Sequence, residues 1–211
     1  MSAAAAFRTW LFASAATTVA VIVCIAYVDR PVALFFDAHL RHSHTAAWVW
    51  LSRALAPLDL VVIMALLFLF GCGVWVLSGH LLGPWTRTPL LCSWAAIWAT
   101  AADIIFKHIF GRSLPDPAYI QNRLYEFRLL HGAPYWDSFP SGTSAISAAI
   151  ACVLWIVMPC CRAIGAVIVV LLCVAVVITN YHWVGDVVAG AFLGISIGWM
   201  TVQLHRPFGM S

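Results

Sequence analysis

Residues 163–180 read AIGAVIVVLLCVAVVITN, residues 181–184 read YHWV, and residues 185–204 read GDVVAGAFLGISIGWMTVQL. A helix rises 1.5 Å per residue, so about 20 mostly apolar residues cross a bilayer. Two apolar runs of that length separated by four residues predict a chain that crosses the membrane, turns at once and crosses back. The turn carries His182, and Asp186 follows four residues later, about one helical turn away on the same face. That spacing lets the carboxylate accept a hydrogen bond from one imidazole nitrogen and leave the other as a nucleophile or base. The same pair also suits a helix cap or a satisfied polar contact.

The rest of the chain is of the same kind. Of 211 residues, 64% are hydrophobic and 9% charged, against roughly 25% charged in a soluble domain. Six segments have spanning character: about 10–28, 59–78, 88–106, 143–159, 163–180 and 185–204. The expected fold class is an all-α membrane protein, one six-helix transmembrane bundle over residues 1–211. Ala13-Ser14-Ala15 looks like a signal-peptide cleavage site but lies inside the first apolar run, which favours a retained first span. The seven cysteines have no metal-ligand spacing and read as small packing residues. With a net charge of +3 and no basic run, no nucleic-acid partner is expected. Many of the 11 tryptophans fall near span ends, as in interfacial belts.

Six spans define two faces. The N-terminus, 79–87, 160–162 and the C-terminus share one, with Arg8, Arg87, Arg162 and Arg206 in short segments free of acids. The other holds 29–58, 107–142 and 181–184. Counting basic residues in short loops favours the first face as cytoplasmic, so the second is expected to be extracytoplasmic.

On that second face the third span ends with Asp103, Lys107, His108 and Arg112, and Ser138-Phe139-Pro140-Ser141-Gly142-Thr143 opens the fourth. Ser141 is a good N-cap, and Gly142 and Thr143 would present backbone N–H groups where the helix dipole favours an anion. Lys107 would add a point charge, steadied by Asp103 one turn earlier. The alternative is a neutralising pair at a span end, with Lys107 snorkelling to the interface. His108 is expected to point about 100° away from Lys107. The convergence of three polar clusters on one face favours a phosphate site.

These residues resemble the signatures of the type 2 phosphatidic acid phosphatase (PAP2) superfamily. The first, Lys, six residues, then Arg-Pro, is similar to Lys107 through Leu114-Pro115. The second, Pro-Ser-Gly-His, is similar to Pro140-Ser141-Gly142-Thr143. The third ends in His, three residues, then Asp, as His182 to Asp186 do. Asp29-Arg30-Pro31 also resembles the family's N-terminal region. The resemblance implies His182 as nucleophile on phosphorus, Asp186 as its orienting carboxylate, and Lys107, Ser141 and Gly142 as a phosphate cradle, with no metal or cofactor.

Three positions depart from the pattern: Leu114 replaces an arginine, Thr143 the histidine that protonates the leaving group, and Ala175-Val176 a Ser-Arg pair. Losing a general acid costs about 10²–10⁴ in rate. Candidate substitutes lie on the same face: Arg112, Arg123 and Arg128 to clamp phosphate oxygens, and His131 to reach a leaving oxygen. Phosphate leaving from a diphosphate needs little protonation, and the sphingomyelin-synthase branch transfers a phospho-head group without the family's arginines. The expected function is therefore a membrane lipid phosphatase or head-group transferase. The competing reading is a degenerate member that binds or moves an anionic lipid, or scaffolds a partner; a transporter is disfavoured by the lack of repeats and of midplane polar residues. His39, His42 and His44 read as an interfacial segment rather than a zinc site. Gly190, Gly194 and Gly198 mark close helix packing, within the bundle or between protomers. The oligomeric state stays open.

Overall fold

The computed structural model describes residues 3–41, 58–131 and 135–205. Helix α1 (Ala3–Val23) continues through a π-helical turn at Cys24–Val28 into α2 (Asp29–Phe36), followed by a second π turn at Asp37–Arg41. Then come α3 (Leu58–Leu77), α4 (Arg87–Phe110), α5 (Gly142–Val157), α6 (Arg162–Ile178) and α7 (Val184–Leu204). Among the described residues five helical stretches are long and apolar enough to span a bilayer, and Gly142–Val157 is a shorter apolar helix. The all-α membrane class is therefore as expected. The first helical stretch, Ala4–Leu40, far outruns the expected 10–28. Helix α5 stops at Val157, short of 159, because Pro159 supplies no N–H and biases the residue before it away from helix.

Short α5 is the axis of the bundle and packs most extensively on α7 and α4. Its inner positions are small: Ala145 and Ala149 have no exposure, and they meet Leu91, Ala95, Ala96 and Ala99 of α4 and Val202 of α7. In lipid, association between helices rests on close packing rather than on expelling water, so small residues belong at the contact. The glycine stripe is used here, inside one chain. A Cβ on Gly190 would lie 2.4 Å from the Ser141 carbonyl oxygen, and one on Gly194 2.1 Å from that of Ala145. Outward positions are large and apolar instead, including Phe12, Leu67, Phe70, Val167 and Leu171.

Gly111 ends α4 in the left-handed conformation, at φ +49°. A Cβ there would sit 2.0 Å from the Arg128 carbonyl oxygen, so only glycine lets the following loop fold back this closely. The loop is stitched by paired backbone bonds, Ser113 N–H to Glu126 O and Arg128 N–H to Gly111 O. Its two ends are tied together by Ser138 N–H, which donates to the Arg112 carbonyl oxygen at 3.1 Å.

Candidate functional site

The end of α4, the start of α5 and the α6–α7 turn meet at one end of the bundle. Between them and α3 lies a cavity of about 420 Å³. Asp103, Lys107, Gly142, Thr143 and His182 form its polar wall; Val62, Ile63, Ile104 and Ile146 form an apolar one. Lys107 Nζ donates to Asp103 Oδ2 at 3.0 Å. A Cβ on Gly142 would lie 2.7 Å from that same oxygen, so the missing side chain is what seats the Asp103 carboxyl against the first turn of α5.

Ser141 caps α5, its Oγ accepting from Ser144 N–H at 3.4 Å and from Ser144 Oγ–H at 3.1 Å. Ser141 N–H donates to the Asp186 carbonyl oxygen at 3.0 Å. Gly142 and Thr143, beside the cavity, belong to the first turn of α5, where a helix has no intrahelical acceptors for its N–H groups and its dipole favours an anion. Ser141 itself is wholly buried beneath them and is not part of the cavity wall.

His182 is held differently from the sequence expectation. Its Nδ1 lies 2.9 Å from the Ser138 carbonyl oxygen and 3.8 Å from Asp186 Oδ2. A carbonyl only accepts, so Nδ1 carries the hydrogen, and in the neutral ring the lone pair is on Nε2. Asp186 acts one step removed: its Oδ2 accepts from Ser138 Oγ–H at 2.5 Å and from Trp183 N–H at 3.1 Å. Both the loop that presents the Ser138 carbonyl and the start of α7 are thus tied to one carboxylate.

Arg112 lies beyond Asp186, away from the cavity. It is 1% exposed and donates through Nη1 to Asp186 Oδ1 and through Nη2 to Asp29 Oδ2 at 2.6 Å and Tyr125 Oη at 2.9 Å. Asp29 Oδ1 accepts in turn from Gly185 N–H at 2.9 Å. The guanidinium also packs on the Phe127 and Trp183 rings. Burial opposes its charge, but Asp186 and Asp29 prevail and hold its pKa above the usual arginine value. Tyr125, burdened first by burial, is pushed up to about 12.

The other loop candidates point elsewhere. Arg128 pairs with Glu126 at 3.0 Å and covers Trp136; Arg123 stacks on Tyr119; exposed His131 meets Trp136 edge-on. None of them lines the cavity. His108 bonds the Ile104 carbonyl through Nδ1 and stays outside it, as its helix position predicts. His39 bonds the Phe35 carbonyl, whereas His42 and His44 lie outside the described residues. Sequence reasoning missed the parts played by Ser138, Tyr125 and Asp29. Asp29 had a legible signal, an acid at the end of a long apolar run, where an ionisable group needs a partner.

The PAP2 superfamily model matches residues 88–209, over half of the chain, so the chain belongs to that superfamily. Among solved structures it is similar to a transmembrane PAP2 type phosphatidylglycerolphosphate phosphatase from Bacillus subtilis. The identity is 21%, over 84% of this chain and 97% of that one, with a TM-score of 0.43. Comparison with curated proteins found no match. The chain is a multi-pass membrane protein of the PAP2 superfamily.

Proposed function

We propose that this protein hydrolyses a lipid phosphate or diphosphate at the membrane surface, with His182 Nε2 attacking phosphorus. The observation that carries the reading is the joint presence of Lys107, Gly142, Thr143 and His182 on the wall of one cavity. An anion seated there would meet a cation, two helix N-terminal amides and an imidazole whose tautomer leaves Nε2 as the lone-pair nitrogen. The apolar wall of Val62, Ile63 and Ile104 suits a lipid arriving sideways between α3 and α4. We take residues 1–211 as one functional domain with its site on the extracytoplasmic side, in keeping with the acid-free arginine segments at the opposite end.

Head-group transfer to an acceptor other than water uses the same first step. A second reading, lipid binding without turnover, draws on Thr143 standing in the histidine position and on Arg112 being engaged by Asp186 and Asp29. Purified protein in detergent, assayed for phosphate release and head-group transfer over a lipid panel without added metal, separates the readings. Turnover abolished by His182→Ala supports the enzyme; lipid binding with no turnover on any substrate supports the binder.

A further inference from the structure

We propose that Asp103 is the proton donor to the leaving oxygen, replacing the group that Thr143 cannot supply; the inference rests on the hydrolytic reading above. The Asp103 side chain is 9% exposed, and its two oxygens have unequal surroundings. Oδ2 accepts from Lys107 Nζ at 3.0 Å, while Oδ1 is buried without a hydrogen-bond partner among the described residues. A buried polar atom left unmatched is costly. The mismatch is resolved if Oδ1 carries a proton and a substrate oxygen accepts it.

The location fits the task. Asp103 lines the same cavity as His182, and its carboxyl rests against Gly142, at the helix turn that would hold the phosphoryl oxygens. The titratable groups that face it are Lys107 from its own helix, His182 from the α6–α7 turn and Asp137 from the loop before α5. An ionised Asp103 would repel an arriving phosphate, and taking up a proton at Oδ1 removes that repulsion. Lys107, bound at Oδ2, directs the proton to the other oxygen.

The step balances as follows. The His182 Nε2 lone pair forms the N–P bond while the P–O bond to the lipid breaks. The leaving oxygen takes that electron pair together with the Oδ1 proton, which leaves Asp103 ionised. Water then attacks phosphorus and gives a proton to Asp103, and the N–P electron pair returns to Nε2.

The test compares wild type, Asp103→Asn and His182→Ala on two phosphate monoesters of equal chain length, one with an alkyl and one with a nitrophenyl leaving oxygen. Asparagine keeps the shape but cannot donate an acid proton. The expected result is a loss of about 10²–10⁴ on the alkyl ester and less than about tenfold on the nitrophenyl ester. The alkaline fall of the alkyl pH–rate profile should also vanish, which a purely structural role would not produce. Equal losses on both esters, or no loss on the alkyl ester, overturn the assignment while an inactive His182→Ala leaves the hydrolytic reading standing. A wild type that turns over neither ester but hydrolyses a lipid diphosphate overturns the assignment alone, and one that hydrolyses none of the three overturns both. If Asp103→Asn does not fold, the wild-type rate across a series of leaving groups decides: a shallow dependence on leaving-group pKa supports proton donation, and a steep one overturns it.

Discussion

Arg112 Nη2 and Asp29 Oδ2 lie 2.6 Å apart in the interior, joining the loop after α4 to the start of α2. The other arm of the guanidinium holds Asp186. One cation therefore fixes the first helix, the loop after α4 and the N-terminus of α7 relative to each other. Its removal would leave two buried carboxylates facing one another.

Arg112→Ala should therefore destabilise the fold by about 3–5 kcal/mol, the usual cost of stranding a buried charge. Arg112→Lys should rescue little, because an ammonium does not span two carboxylates as a planar fork does. Thermal unfolding in detergent checks both. A variant as stable as wild type would show that the triad contributes nothing to the fold.

Ser138→Ala removes the hydroxyl that bonds Asp186 but keeps the carbonyl that bonds His182. We expect a stability loss of about 1–3 kcal/mol from the weakened buried carboxylate site. Turnover should fall far less than in His182→Ala, because the imidazole keeps its backbone partner. Parallel melting curves and kcat values for the two variants measure this.

Gly194→Ala puts a methyl group 2.1 Å from the Ala145 carbonyl oxygen, so α5 and α7 must separate. A cost of about 1–3 kcal/mol is expected, read as a lowered midpoint of thermal unfolding. Gly73→Ala, where the added carbon meets nothing within 4 Å, is the matched control and should be neutral.

Tyr125 supplies a pH dependence. Its folded pKa, raised chiefly by burial to about 12, exceeds the ordinary value of about 10. A raised acid pKa gives stability that is complete below the unfolded value and is lost as pH rises through the folded one. Stability should therefore decline between about pH 10 and 12, together with the ultraviolet absorbance change of tyrosinate. Tyr125→Phe should flatten that decline, as followed by alkaline unfolding in detergent.

Most of the architecture was legible because membrane spans obey a local rule of length and apolarity; the expected 185–204 and the observed Val184–Leu204 differ by one residue. The cavity wall was legible too, since Lys107, Gly142 and His182 each sit where one helix begins or ends. The partners of Arg112 were not, because Asp29 lies 83 positions away and no periodicity links a loop arginine to the end of the first apolar run. The His182 contact was misjudged for a related reason. Helical spacing points to Asp186, but His182 precedes α7, and a loop carbonyl 44 residues earlier reaches Nδ1 first.

We propose that His182 Nε2 takes up a phosphoryl group within the cavity bounded by Lys107 and Gly142. The most direct test is rapid alkaline quenching of wild-type protein during turnover of a lipid phosphate, followed by mass spectrometry of the peptides. A phosphoryl adduct on His182, labile to acid, is expected, and none in His182→Ala, which should also release no phosphate. Sustained phosphate release by His182→Ala, or an adduct on a different residue of the active protein, would contradict it.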